Sequence, residues 1–158
     1  MRGERKNHMT IELEIVTQER KVLTETVDSV NLPGIMGRMG ILPNHAPLLT
    51  VLDFGEVVIR KDGVESYYAI GGGIAEINPD KVIILADSAD HAEEIDEQKA
   101  EEARQAAAKA MEEGVPEDPE AYRMLEAQLR REQLRVDISR KRKTQRTPPV
   151  PNLSNTQR

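Results

Sequence analysis

The chain has 158 residues, with 38% hydrophobic, 32% charged and 3% aromatic residues, no cysteine, and a net charge of −6. That length suits one medium domain or a compact domain with an appendage. Disulfide scaffolds, thiolate metal sites and cysteine nucleophiles are excluded, and few rings remain for stacking single-stranded bases. Val82 to Ala86, the longest near-continuous apolar stretch, is too short to span a bilayer, and no apolar segment follows the charged Met1 to Thr10, so the chain reads as soluble and intracellular.

From Thr10 to Ala86 the pattern is that of strands. Ile11, Leu13 and Ile15 alternate with Glu12 and Glu14, the period of a strand with one buried face. Further β-rich runs follow at Val22–Val30, Leu48–Leu52, Val57–Ile59, Tyr67–Ile70 and Val82–Leu85. Breakers separate them: Pro33-Gly34, Gly37, Gly40, Pro43-Asn44, Gly55, Asp62-Gly63, Gly71-Gly72-Gly73 and Asn78-Pro79. Asp62-Gly63 predicts a hairpin, because such turns need positive φ. Gly71-Gly72-Gly73 lacks the Lys-Ser/Thr of a phosphate loop and predicts a turn or bulge. Many short strands without crossover helices imply an antiparallel β-sandwich or barrel over residues 9–90.

After Asp87 the period changes. Ile95, Ala100, Ala103, Ala106, Ala107, Ala110 and Met111 recur at helical spacing, and Gly114-Val115-Pro116 ends the run. Asp118 before Pro119 predicts the N-cap and first turn of a second helix, with Tyr122, Leu125, Leu129 and Val136 on one face and an end near Lys141. The short connection predicts an antiparallel two-helix hairpin over residues 91–143, followed by a disordered Pro/Asn/Ser-rich tail over 144–158. The first helix offers mostly methyl groups, so its docking should be weak. Charge is segregated: residues 1–92 carry −5, 93–120 carry −8 and 121–158 carry +7. Adjacent segments of opposite sign either attract each other or seek opposite partners.

No catalytic constellation and no metal site stand out. His8, His45 and His91 are scattered, and His45 sits in a turn-rich Pro43-Asn44-His45-Ala46-Pro47 run with no nucleophile motif beside it. Two alternatives remain: a small acid/base hydrolase using His45 with Asp53 or Glu56, and a nucleic-acid binder using the basic segment 121–158.

Gly34 to Pro47 is the most distinctive segment, a constrained loop carrying Met36 and Met39. Together with Gly40 to Thr50 (GILPNHAPLLT), Ile11 to Val16, Val27 to Val30, Ile70 to Ala75 and Val82 to Ala86, it resembles the epsilon subunit of bacterial and chloroplast F-type ATP synthases. The resemblance runs from Met9 to about Lys143 and implies that residues 1–8 are an N-terminal extension. It implies a sandwich of ten short strands and a helical hairpin, in a non-catalytic central-stalk subunit of a proton-translocating complex. That subunit couples gamma to the c-ring and restrains ATP hydrolysis by the catalytic alpha/beta hexamer. It implies a peripheral position, held only through partners, at the cytoplasmic face of a bacterial inner membrane rather than at a chloroplast thylakoid.

The same resemblance assigns residues. Met36, Arg38, Met39 and His45 fall where the family meets the c-ring and gamma, although Arg38 stands where an acidic residue is common. Arg130, Arg131, Arg135 and Arg140 fall on the helix that meets acidic segments of the catalytic subunits. Asp96, Lys99, Arg131 and Arg135 match an ATP-binding motif of some members, with Lys99 in place of arginine and Ala106 in place of another. No cofactor is required, and regulatory ATP is expected to bind weakly or not at all. Lysine keeps the charge but loses the planar fork that grips phosphate.

Overall fold

A computed structural model of the chain describes residues 9–146, with side chains described to Lys143; the N-terminal extension and the tail beyond Arg146 lie outside the described residues. Eight strands form: β1 (Ile11–Val16), β2 (Lys21–Val27), β3 (Ser29–Gly34), β4 (Gly37–Ile41), β5 (Leu48–Lys61), β6 (Val64–Ile77), β7 (Lys81–Ala86) and β8 (Ala89–His91). They pair in the order β2-β1-β7-β6-β5-β3-β4, with β8 on β6. The resemblance implied ten short strands, whereas β5 and β6 are each fourteen residues long and serve both layers of the sandwich. Counted by halves, the long pair accounts for the difference. The pairing is antiparallel except between β1 and β7, which run parallel. A parallel neighbour must return from far along the chain, and here everything from β2 to β6 intervenes.

The alternation read from the sequence is the burial pattern of β1: Ile11, Leu13 and Ile15 are buried while Glu12 and Glu14 face outward. Val27, Val30, Leu32, Ile59, Ile70 and Ile84 join them in one core between the layers. The β5–β6 hairpin closes at Asp62-Gly63, both with positive φ (51° and 75°), as the turn type demands. Halfway along this ladder the buried parity slips by one: Tyr68 and Ile70 face inward before the glycines, Ala75 and Ile77 after them. The ladder skips the Asp53–Gly72 pair at the same level. The pairing register is the same on both sides of that gap, so β5 and β6 change buried parity together as they pass between layers. The glycine run is thus an irregular bend inside a strand, where β6 leaves β7 for β8.

A 3₁₀ turn (Ala92–Glu94) leads to α1 (Glu97–Glu113), capped by Asp96, whose carboxylate accepts from the Lys99 N–H at 3.1 Å. Asp118 likewise accepts from the Ala121 N–H and opens α2 (Pro119–Arg146). α2 continues past the expected end at Lys141, since no glycine or proline interrupts it before Pro148. It lies between the sandwich and α1. Its burial is centred on Glu132, Val136, Ile138 and Ser139, where both neighbours cover it. Of the face expected from periodicity, only Val136 is fully buried; Tyr122, Leu125 and Leu129 are half-buried. A second, smaller core gathers Ala69, Ala92, Ile95, Ala100, Val136 and Ile138.

Gly73 has φ 142°, and a Cβ there would run into the Leu85 carbonyl of the neighbouring strand. Gly73→Ala should therefore cost roughly 2–4 kcal/mol through backbone strain and overpacking, read from urea unfolding of the full chain. A loss below about 0.5 kcal/mol would mean the bend tolerates a side chain.

Candidate functional site

Two surfaces carry the residues singled out by sequence. The first is the end of the sandwich. Gly34 to Pro47 is not one loop: residues 34–41 complete a β3–β4 hairpin whose tip is Ile35-Met36, and only 42–47 is irregular. Glycine at both flanks, pairing Gly34 with Gly37, permits the two-residue turn. Met36 is 97% exposed, with Ile35 also exposed beside it, whereas Met39 on β4 packs against the main core and the exposed Leu42 lies at the other end of β4. Such an apolar tip on rigid strands is an adaptable contact surface. His45 is half-buried and its Nδ1 lies 2.6 Å from the Ala46 carbonyl. It meets neither Asp53 nor Glu56, which are engaged elsewhere, so the acid/base pair of the hydrolase alternative is not assembled. Arg38 lies on β4, and its guanidinium donates to Glu56 at 3.1 Å.

The second surface is the underside of α2. Arg130 donates to Asp53 at 3.0 Å and stacks over the Phe54 ring at 4.4 Å. Arg131 and Arg135 both lie 3.5 Å from the Asp90 carboxylate on β8, and Arg135 also donates to Glu132 at 3.1 Å. Lys141 donates to Glu56 at 2.7 Å. Arg142 donates to the Ala92 carbonyl. The basic segment therefore finds its partners largely on the sandwich. Sequence reading left the choice between the acidic first helix and outside partners. That helix contributes at one end: Arg140 and Lys143 both donate to Glu97, and Arg140 also reaches Glu101 at 3.7 Å.

Asp53, Phe54, Glu56 and Asp90 were missed as partners of α2 because they lie 40 to 85 residues away from their cations, a pairing that no local pattern encodes. The nucleotide residues fall into two groups: Arg131 and Arg135 meet on Asp90, while Asp96 caps α1 and Lys99 stands beside it on the first turn. No hydrogen bond or ion pair among the described residues joins the groups. No cluster of His, Asp or Glu among them could hold a metal ion, and no helix among them is long and apolar enough to cross a membrane.

An open cleft of about 610 Å³ separates the first half of α2 from the bend of β6, lined by Phe54, Gly71, Ser88, Met124, Leu125 and Arg131. The docked helices thus rest on a small core rich in alanine and on ion pairs that run from half exposed at Arg130–Asp53 to mostly covered at Arg135–Asp90. Exposed pairs contribute about 0–1 kcal/mol each.

A second face of the sandwich is apolar and exposed. Val51, Ile74 and Leu85 are hydrogen-bonded neighbours across β5, β6 and β7, each at least 45% exposed, and Val16 of β1 continues the row. Sequence patterning showed these only as members of β-rich runs; a row across four strands exists only once register is set.

Comparison with known proteins gives a consistent set. The family model "ATP synthase, Delta/Epsilon chain, beta-sandwich domain" matches residues 10–92. The ATP synthase epsilon chain of Herpetosiphon aurantiacus is 49% identical over 135 residues, 85% of this chain and 98% of that one. That of Chloroflexus aggregans is 44% identical over 138 residues, 87% and 98% of the two chains. Among solved structures, a chain of the Euglena gracilis mitochondrial ATP synthase (OSCP/F1/c-ring in rotational state 1) superposes with TM-score 0.67 at 25% identity, covering 85% of this chain and 84% of its own.

Glu97 is held below the ordinary 4.5 by hydrogen bonds from Lys143 and Arg140, and Glu101 is lowered to about 2, chiefly by Arg104. A carboxylate depressed in the folded state contributes stability above its unfolded value and loses it as pH falls through the folded one. The contacts of Glu97 with Arg140 and Lys143 of α2 should therefore weaken as pH falls below 4.5, whereas Glu101 is held mainly within α1. Helical melting followed by circular dichroism should show it, with a shallower pH dependence in Glu97→Gln; an unchanged slope would remove Glu97 from the pairing.

Proposed function

This chain belongs to the epsilon-chain family of ATP synthase, and from that premise we propose how its two parts divide the work: the sandwich couples the rotor, and the helical hairpin is a releasable brake on ATP hydrolysis. It is a non-catalytic subunit of the central stalk, with gamma, the c-ring and the catalytic hexamer as partners, and it meets the membrane through the complex. We place it at the cytoplasmic face of a bacterial inner membrane, in preference to a chloroplast thylakoid.

The observation that carries the brake is the way α2 is held. Arg130, Arg131 and Arg135, the side chains suited to acidic segments of the catalytic subunits, are occupied in the docked state by Asp53 and Asp90 of the sandwich. One set of cations serves two partners, so docking and inhibition exclude each other. At the other end, the exposed Ile35-Met36 tip suits the c-ring, and the Val51–Ile74–Leu85 row suits a broad apolar contact with gamma. Arg38, turned onto Glu56, is not projected at the ring as an unpaired charge.

A regulatory nucleotide would have to displace Asp90 from Arg131 and Arg135 and draw Asp96 or Lys99 toward them, so weak binding follows and no cofactor is required. Calorimetry of the full chain at millimolar ATP should show little heat, Asp90→Asn should raise it, and Arg131→Ala with Arg135→Ala should abolish it. Tight binding by the unaltered chain would contradict this competition.

The brake is tested in the reconstituted complex. Truncation after Ala92 should raise ATP hydrolysis several-fold while synthesis persists. Asp53→Asn with Asp90→Asn, which frees the helix but leaves its arginines intact, should deepen inhibition instead. Equal hydrolysis rates for all three chains would leave only the coupling role.

A further inference from the structure

Glu56 sits where three elements converge. It lies on β5 with its side chain only 12% exposed, and a single oxygen, Oε1, accepts from Arg38 Nη2 at 3.1 Å and from Lys141 Nζ at 2.7 Å. Arg38 belongs to the β3–β4 hairpin that ends in the Ile35-Met36 tip; Lys141 belongs to the last turns of α2. The backbone beside it touches the surroundings of both. Gly55 lies so close to Pro33 of β3 that an added Cβ would stand 2.5 Å from the proline ring, and Pro33 pairs directly with Arg38. On the other side, Glu56 pairs with Ala69 of β6, a member of the small core under α2.

Two cations on one carboxylate oxygen are not independent. Each is attracted by the same charge, and they repel each other across a few ångströms in a setting partly shielded from water. Whatever takes one of them leaves the other with an undivided anion. We propose that Glu56 links the two ends of the molecule: Arg38 and Lys141 compete for it, so a partner carboxylate that draws Arg38 away at the tip tightens the docking of α2, and release of α2 fixes Arg38 to the sheet. This coupling rests on the reading of the hairpin as movable. It adds to that reading a sensor: the state of the sandwich end biases the brake, through a residue that touches neither outside partner.

The natural chain has no cysteine, so one dye pair can report docking in the full-length protein, introduced at the exposed Thr24→Cys on β2 and Glu126→Cys on α2. Single-molecule transfer efficiency then gives the ratio of docked to undocked hairpin, with salt up to about 1 M used to populate the undocked state. Arg38→Gln should raise that ratio about two- to five-fold, the scale of one exposed ion pair. In a Lys141→Gln or Glu56→Gln background the same substitution should change nothing. A ratio unchanged or lowered by Arg38→Gln, or raised equally in those backgrounds, would overturn the coupling while leaving the movable hairpin intact. A chain that stays docked at every salt concentration would overturn the movable hairpin itself, and the coupling with it.

Discussion

The antiparallel ladder between β5 and β6 is the member from which the rest of the molecule hangs. Two fourteen-residue strands joined by a two-residue turn belong to both layers at once, and each layer is completed on them. β7 and β8 pair with successive halves of β6, β3 pairs with β5, and α2 lies across the ladder's outer face. What makes this geometry possible is the unpaired level at Asp53 and Gly72, where both strands change buried parity, together with glycines that let neighbouring backbones approach. A side chain at Gly73 would push β6 and β7 apart at the point where the first layer hands over to the second.

That bend also creates the surface on which α2 rests. Asp53, Phe54 and Glu56 follow one another along β5 as it crosses between layers, and Asp90 stands nearby on β8, the short strand that takes over from β7. Each meets a cation of α2. The sandwich is therefore a stable platform whose outer face carries the docking partners of a less stable part. Its core holds large branched side chains excluded from water, whereas the hairpin's core holds alanines with one valine and two isoleucines. Burial of apolar area scales with side-chain size, so the two parts differ in how firmly each is held.

This difference suits a subunit that must remain on a rotor while one segment changes partners. The ion pairs that hold α2 run from half exposed at Arg130–Asp53 to mostly covered at Arg135–Asp90, and they are specific in place: Arg130 on Asp53, Arg131 and Arg135 on Asp90, Lys141 on Glu56. A set of modest contacts can be exchanged for another set of the same sign without first breaking a large apolar core. Conformational change then depends on competing electrostatics, which partners and salt both modulate.

Much of the fold was legible in the sequence because it rests on local rules. The alternation of Ile11, Leu13 and Ile15 about two glutamates, the Asp62-Gly63 turn, the Asp118-Pro119 helix start and the alanine spacing of α1 are each dictated within a few residues. The family resemblance likewise rested on contiguous motifs. What only the tertiary structure decided is whatever depends on register and on distance in sequence: the parallel pairing of β1 with β7, the apolar row of Val51, Ile74 and Leu85, the turning of Arg38 onto Glu56, and the attachment of the basic helix to the sandwich rather than mainly to the acidic helix. A charge written in the sequence has a sign but no address, because Coulomb attraction has no preferred direction and every acidic residue is a candidate partner until packing selects one. Periodicity told which side chains face inward; only the closed fold told which charges meet.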